Sequence, residues 1–409
     1  MGTDRGRRHV WQVGYLIPRL LVAVCLVDIA LRFMPIDGLT FRAWETVTRY
    51  RPSGGAFEPN RRYYSERSYG NLAALGNLPD RRQYWTETFT VDALGFRNGV
   101  HLLNEPVSAI LVGDSFAVGA GAKDDETLSS SLNKLGTCVV YNAGSEAWAV
   151  VPDQVLATAH RLNMRNRLVI RLYSEDADVP ATPTGRAMGV RKLIASAPEE
   201  VRDWVGRVRG VLTVSPLEIL SERALKALAD DRILPNSYAD TVVRATLYNG
   251  DSILFLAAFV NRFHRRREVA SDYWRWLHNE LREARFDLLV VLVPGKYRVY
   301  RPLLVNPRPV GQGEGDYLER LEHDLRAAGI AVLNLGPVLE AEAARALRHG
   351  EYLYWLDDIH WNARGIALAA KAVREQWPLT ERSCGNSRGL VVQEPATHRS
   401  AKSVTTTVR

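Results

Sequence analysis

Two short segments, far apart in this 409-residue chain, carry residue types that could move an acyl group. Gly113-Asp114-Ser115 follows an apolar run, and Asp357-Asp358-Ile359-His360 follows an apolar aromatic run near the other end. A serine hydroxyl needs a base within hydrogen-bond reach to become a nucleophile, and a histidine oriented by a carboxylate is such a base. Asp357 and His360 are three residues apart, so both side chains can project from one turn in the same direction. Each segment alone is also consistent with a simple helix cap.

A third segment, Asn142-Ala143-Gly144, follows another apolar run. A glycine there could bring its backbone N–H close to a bound acyl group, where it would stabilise an oxyanion. An ordinary loop between a strand and a helix is the alternative for this segment.

The elements that must position these residues alternate along the chain from residue 106. Short apolar runs predict buried strands at 107–112, 138–141, 168–173, 288–293 and 330–335. Apolar residues at helical spacing predict helices between and after them, at 128–135, 153–162, 273–286, 317–328 and 366–376. This alternation predicts one α/β domain at 105–379, with a doubly wound, mostly parallel sheet. Ligands bind at the carboxyl ends of such strands, which is where Ser115 lies.

Three segments depart from this alternation. Residues 37–104 are rich in Arg, Tyr, Gly and Pro and predict an irregular lead-in. Residues at about 180–270 predict a mainly helical insertion. Residues 380–409 are polar and predict a disordered tail.

The N-terminal segment, residues 1–36, predicts a membrane anchor. Three arginines precede a mainly apolar stretch at 10–36, and a span needs about 20 such residues. Asp28 and Arg32 interrupt the stretch, but they lie four apart and can neutralise each other on one helix face. No Ala-x-Ala-like cleavage site follows. We therefore expect an uncleaved signal anchor in the inner membrane with the rest of the chain outside the cytoplasm, and a buried helix of a soluble protein is the alternative.

The basic charge of the chain does not indicate nucleic-acid binding. The formal net charge of +7 comes from residues 1–20 and 382–409, so residues 21–381 are neutral overall. Without bulk basicity, the middle of the chain is not expected to hold a phosphate backbone. One local basic cluster lies within 262–267 and is interpreted as a solvated helix face or loop.

The cysteines indicate neither a metal site nor a disulfide framework. The chain has three, Cys25, Cys138 and Cys384, and they are far apart without Cys-x-x-Cys or Cys/His spacing. We expect no metal and no cofactor.

Taken together, the motifs resemble a known family. Gly-Asp-Ser early, Asn-x-Gly after the second strand and Asp-x-x-His near the end are similar to the pattern of the SGNH (GDSL-type) hydrolases. Two further segments, Asp-Ala-Leu-Gly-Phe-Arg at 92–97 and Pro-Gly-Lys-Tyr-Arg-Val-Tyr at 294–300, resemble the extracytoplasmic branch related to alginate O-acetylation proteins. The similarity runs from about residue 92 to 376, apart from the insertion, and implies a three-layer, flavodoxin-like α/β fold.

The resemblance implies a role for each motif residue. It makes Ser115 the nucleophile, His360 the general base and Asp357 the orienting carboxylate. The backbone N–H groups of Ser115 and Gly144 would form part of the oxyanion hole. Asp358 is the reserve for Asp357, because some relatives have the shorter Asp-x-His spacing. Three polar residues are expected to contact substrate: Asn142, Glu175 and Asp358.

One segment departs from the family pattern. Relatives usually carry Gly-x-Asn-Asp after the third strand, and this chain has Tyr173-Ser174-Glu175-Asp176. Glu175 falls in the Asn position, and an ionised carboxylate cannot donate a hydrogen bond to an oxyanion. If Glu175 lines that position, a neutral amide there should raise turnover.

The predicted function is a membrane-anchored serine esterase or O-acyltransferase. The resemblance implies acyl esters of a polysaccharide, with O-acetyl groups as the expected acyl group and an acyl-serine intermediate. A membrane protein that donates the acyl group is an expected partner. A non-catalytic carbohydrate-binding or assembly component is the alternative that Glu175 favours. A lipid esterase is a further alternative, although the chain has no long apolar lid segment.

Overall fold

A computed structural model describes most of the chain. The described residues are 4–33, 56–136, 138–145, 150, 152–164, 167–178, 180–182, 198, 200–201, 204–205, 208, 215–230 and 233–376. The predicted disordered tail at 380–409 therefore lies outside them, as does most of residues 183–214 within the predicted insertion.

Nine strands and twelve helices lie in the described part. The strands are β1 (Arg62–Ser68), β2 (Trp85–Thr90), β3 (Val107–Val112), β4 (Val139–Asn142), β5 (Leu168–Ser174), β6 (Val242–Thr246), β7 (Ser252–Leu256), β8 (Asp287–Val293) and β9 (Ala331–Asn334). The helices are α1 (Asp4–Leu31), α2 (Asn71–Leu75), α3 (Ser115–Val118), α4 (Leu128–Leu135), α5 (Pro152–Arg161), α6 (Pro216–Asp230), α7 (Ala257–Phe263), α8 (Ser271–Glu283), α9 (Lys296–Tyr300), α10 (Tyr317–Ala327), α11 (Gly336–Leu347) and α12 (Ala363–Gln376). Short 3-10 turns occupy Pro79–Arg81, Val100–Asn104, Ser237–Thr241 and Arg301–Leu303.

Five strands form a parallel sheet in the order β4-β3-β5-β8-β9. All six residues of β3 are buried, as are six of the seven in β8, which explains why these strands are continuous apolar runs in the sequence. The chain passes from β3 to β4 on one side and then to β5 on the other side of β3. The carboxyl ends of β3 and β5 therefore flank a topological switch point, where doubly wound sheets bind ligands.

Helices cover both faces of this sheet. Buried side chains of α4, α11 and α12 join one hydrophobic cluster, and those of α5, α8 and α10 join a second. Since strand side chains contribute to both clusters, the sheet lies between two helical layers. The predicted α/β fold with a mostly parallel sheet is confirmed.

Two antiparallel strand pairs lie outside the main sheet. β1 pairs with β2 within the segment for which the sequence indicates irregular structure. β6 pairs with β7 within the predicted helical insertion, between α6 and α7. Both segments thus contain regular β structure where the sequence pattern predicts none, and both contact the turn that precedes α12.

The N-terminal segment is helical, as α1. Its Arg32 Nε donates to Asp28 Oδ2 at 2.6 Å, so the two interrupting charges pair as the helical spacing predicts. Ser215, just before α6, donates to Asp28 Oδ1 at 2.6 Å. Among the described helices, none combines the length and the apolarity that crossing a membrane requires. The anchor stays a prediction.

Candidate active site

Ser115 lies at the carboxyl end of β3, as the first residue of α3. Gly113 allows the tight turn after the strand, because a Cβ there would lie 2.8 Å from the Leu172 carbonyl oxygen. The Asp114 side chain caps α3 by accepting from the Phe116 N–H at 3.0 Å. The Ser115 N–H has no acceptor among the described residues, so it is free to donate to a substrate oxygen.

His360 connects Ser115 to a buried carboxylate. Its Nε2 lies 2.7 Å from Ser115 Oγ, and its Nδ1 lies 2.7 Å from Asp358 Oδ1. The His360 backbone N–H also donates to Asp358 Oδ1, at 3.0 Å. His360 is 3% exposed and Asp358 is fully buried. Such a hydroxyl–imidazole–carboxylate series can deprotonate the serine during attack on an ester.

The carboxylate in this series is Asp358 and not Asp357, which corrects the first choice from the sequence. Asp357 Oδ2 instead accepts from the backbone N–H groups of Gly70 and Gln83, both at 2.8 Å. Asp357 Oδ1 is buried without a hydrogen-bond partner among the described residues. Burial raises the pKa of Asp357 to about 6, against the lowering effect of these two backbone donors. Asp358 precedes His360 by two residues and Asp357 by three, and in this turn the shorter separation places the Asp358 carboxylate beside His360 Nδ1.

The N-terminus of α2 holds this turn in place. Asn71 N–H donates to Asp358 Oδ2 at 2.8 Å, so both oxygens of the orienting carboxylate are occupied. Asn71 Oδ1 accepts from the Ile359 N–H, and the Leu72 N–H donates to the Asp357 carbonyl at 3.0 Å. The first N–H groups of a helix have no acceptor within the helix, so those of α2 are available to a carboxylate such as that of Asp358. Asp358 is also fully buried, which leaves it no exposed oxygen for the substrate contact expected from the sequence.

Gly144 and Asn142 lie beside α3, but their polar groups are already paired. The Gly144 N–H donates to Asn142 Oδ1 at 2.8 Å, and Asn142 Nδ2 donates to the Ala117 carbonyl at 2.9 Å. A Cβ on Gly144 would lie 2.6 Å from the Val118 backbone nitrogen, so this glycine permits close packing on α3. In this geometry Gly144 is not a free oxyanion donor, and Asn142 secures the loop that carries it.

Glu175 belongs to a buried ion pair at the ends of β5 and β8. Its carboxylate accepts from Arg298 Nε at 2.9 Å and from the Gly295 N–H at 2.9 Å. Its side chain is 6% exposed, and Arg298 also pairs with the more exposed Glu319. Glu175 makes no hydrogen bond to Ser115 or His360, because its carboxylate is paired with Arg298 and with the Gly295 N–H.

The basic cluster at 262–267 lies at the end of α7 and in the loop that follows it, where Arg265 and Arg266 are exposed and two other arginines are paired. Arg262 donates to the Asp176 carbonyl, and Arg267 donates to the Glu175 carbonyl and, at 2.7 Å, to the Ala177 carbonyl. These guanidinium groups secure the loop after β5. His264 is buried, with Nδ1 at 2.9 Å from Glu314 Oε2.

Several residues that position the site were missed by sequence reasoning: Gly70, Asn71, Gln83 and Lys296. The first three lie about 280 residues from the turn that they contact, and no local pattern predicts such a pairing. Lys296 had a usable signal, because an ammonium group that follows a buried, mainly apolar strand needs either solvent or hydrogen-bond acceptors. In the part of the chain that the structure describes, no group of three or more His, Cys, Asp or Glu residues could hold a metal ion.

One comparison with known proteins matches part of the chain. Residues 260–406 match the family model described as "SGNH hydrolase-like domain, acetyltransferase AlgX". The match includes Asp358 and His360, and Ser115 lies before it. The resemblance to the SGNH and alginate O-acetylation family is therefore confirmed for that part of the chain. A crystal structure aligns with 66% of this chain and 96% of its own at 15% identity, but its TM-score of 0.30 supports no argument. The search of curated proteins found no match.

Proposed function

We propose, from the SGNH hydrolase-like match at residues 260–406, that the protein transfers or hydrolyses acyl esters through an acyl-serine intermediate. The single observation that carries this proposal is the hydrogen-bonded series from Ser115 Oγ through His360 to Asp358. A protein that only bound carbohydrate would not need a buried base within 2.7 Å of a serine hydroxyl.

The first half of the reaction acylates the serine. His360 Nε2 takes the proton of Ser115 Oγ as the oxygen forms a bond to the ester carbonyl carbon. Asp358 accepts a hydrogen bond from the Nδ1–H of His360, which fixes the tautomer and stabilises the imidazolium. The Ser115 N–H donates to the developing oxyanion. When the intermediate collapses, His360 gives its proton to the leaving oxygen, and the acyl group stays on Ser115.

The second half reverses these steps with a new acceptor. His360 deprotonates either water or a hydroxyl group, and the resulting oxygen attacks the acyl-serine carbonyl carbon. The bond between that carbon and Ser115 Oγ then breaks, and His360 returns the proton to Ser115 Oγ. Water gives hydrolysis, and a sugar hydroxyl gives O-acyl transfer. The acetyltransferase in the description of the matching family favours an acetyl group and a transfer role.

The proposal also includes a substrate class, an acyl donor and a cellular location. We infer an O-acetylated or acetyl-accepting polysaccharide as the carbohydrate substrate and a membrane protein as the acyl donor. The basic and apolar N-terminal segment supports anchoring to the inner membrane, with the α/β domain on the extracytoplasmic side.

The test combines an active-site serine probe with an aryl acetate. We expect a fluorophosphonate to label Ser115 in the parent, and Ser115→Ala to abolish labelling and lower hydrolysis by at least about a thousandfold. Ser221→Ala, at an exposed serine of α6, is the matched control and should behave as the parent. Equal hydrolysis by parent and Ser115→Ala would remove Ser115 from the mechanism. A parent that neither hydrolyses the ester nor reacts with the probe would instead support the non-catalytic alternative.

A further inference from the structure

Lys296 carries a buried ammonium group that neither half of the reaction uses. It is the first residue of α9, directly after Gly295, and it is 3% exposed. Its Nζ donates to three backbone carbonyls: Leu254 at 2.7 Å, Leu356 at 2.9 Å and Asp358 at 2.9 Å. It thus connects three separate parts of the chain, which are α9, strand β7 and the turn that carries Asp358 and His360.

The hydrogen bonds account for all of the ammonium's protons. A protonated lysine has three N–H donors, and each of them has a carbonyl acceptor here. The charge is compensated by Asp357 and Asp358 on the same turn, and these are the two carboxylates that act on it. The turn is also held from the β7 side, because the Leu254 N–H donates to the Leu356 carbonyl at 2.9 Å. The Leu356 carbonyl therefore accepts from both Lys296 and β7.

We propose that Lys296 is a positioning residue that fixes the Asp358–His360 pair against Ser115 by clamping the backbone on both sides of Asp357. The proposal rests on the proposed function of Ser115 and His360. Lys296 touches no reacting atom in this scheme. It acts through the Leu356 and Asp358 carbonyls, and so it determines where the Asp358 side chain and His360 lie.

The clamp has a protonation requirement. A neutral amine has only two N–H donors, and its lone pair would face one of the three carbonyls. Burial lowers the pKa of Lys296 to about 7, although Asp357 and Asp358 oppose that shift. Deprotonation above neutral pH should therefore release one carbonyl and loosen the turn, so kcat of the parent should decline on the alkaline side.

The decisive variant is Lys296→Met, with Lys226→Met as its matched control. Lys226 Nζ also donates to a backbone carbonyl, that of Ala74 at 3.0 Å, but it holds the other end of α2. For aryl acetate we expect Lys296→Met to lower kcat about a hundredfold, the effect of a displacement of about 1 Å, with KM nearly unchanged. The alkaline decline of kcat should disappear with the ammonium. Lys226→Met should keep the parent's kcat and pH profile.

A second variant and a second measurement separate positioning from simple loss of folding. Lys296→Gln retains two N–H donors and should restore part of the kcat that Lys296→Met loses. The downfield proton resonance of the hydrogen bond between His360 Nδ1 and Asp358, assigned by its absence in His360→Ala, should be present in the parent and Lys226→Met and absent in Lys296→Met. This resonance needs no turnover, so it tests the clamp even if Ser115 fails the probe test. A Lys296→Met protein with the parent's kcat and resonance, or with the parent's alkaline decline, would overturn the proposal.

Discussion

At the residue scale, Asp357 and Asp358 are adjacent carboxylates with different partners, and single amide substitutions should separate them. Asp358→Asn should lower kcat for aryl acetate by about 10⁴, because an amide N–H facing His360 Nδ1 favours the wrong tautomer. Asp357→Asn should retain kcat within about tenfold, because its carbonyl oxygen can still accept from Gly70 and Gln83. Steady-state kinetics of both variants, with circular dichroism to verify folding, makes the comparison. The reverse ranking would return Asp357 to the orienting position.

Glu175 leads to a second prediction at this scale. The sequence suggests that a neutral amide at 175 should raise turnover, but the structure gives its carboxylate to Arg298 and Gly295. Glu175→Gln should instead leave kcat no higher than the parent's and lower the free energy of unfolding by about 3 kcal/mol, since it breaks a buried ion pair. Urea unfolding measures that loss.

Glu319→Gln is the matched control for this substitution. Glu319 binds the same Arg298, but its side chain is 55% exposed, so solvent screens the pair and the loss of stability should be smaller. An increase in kcat on Glu175→Gln would contradict the structure and place Glu175 at the oxyanion after all.

At the element scale, α2 and the turn preceding α12 act as one unit although they are far apart in the chain. Gly70 makes their contact feasible, because a Cβ there would lie 1.9 Å from the Asp357 carbonyl oxygen. Gly70→Ala should therefore push α2 off the turn, remove the Asn71 donor from Asp358, and lower kcat about a hundredfold.

Gly329→Ala is the control for this prediction. Gly329 has open space where a Cβ would lie but a φ of +71°, so alanine there costs only backbone strain, about 1 kcal/mol. Its kcat should match the parent's, and thermal unfolding should show a small decrease in Tm. If Gly70→Ala also retains full kcat, then the contact between α2 and the turn is not needed to position Asp358.

The same scale shows which elements sequence patterns could identify. β3 was predicted with its observed bounds, because a buried parallel strand is a continuous apolar run. The hairpin of β6 and β7 was missed, although Asn249-Gly250 between its strands is a strong hairpin signal. Ser115 and His360 could be predicted because each lies in a short motif that is recognisable by itself. The backbone N–H groups that determine the positions of Asp357 and Asp358 come from distant segments, and no local sequence pattern indicates those contacts.

At the scale of the whole molecule, the position of the site follows from the sheet and from two additions to it. The sheet brings Ser115 to the switch point at the end of β3. The β1–β2 segment contacts the turn that carries Asp358 and His360 through α2, and the β6–β7 hairpin contacts it through Leu254, to which Lys296 also donates. The predicted lead-in at 37–104 and the predicted insertion at about 180–270 thus hold the turn in which His360 lies within hydrogen-bond distance of Ser115 Oγ.

The oxidation state of Cys138 tests the proposed extracytoplasmic location of the α/β domain. Cys138, just before β4, is 3% exposed and disulfide-bonded. Cys25 is a free thiol, so it is not the partner of Cys138. Disulfides persist in oxidising compartments, which agrees with the proposed extracytoplasmic location. Peptide mapping under non-reducing conditions, after alkylation in intact cells, should find Cys138 in a disulfide-linked peptide. A chain without residues 1–36 should stay in the cytoplasm and have Cys138 alkylated, whereas an alkylated Cys138 in the full-length protein would contradict the proposed location.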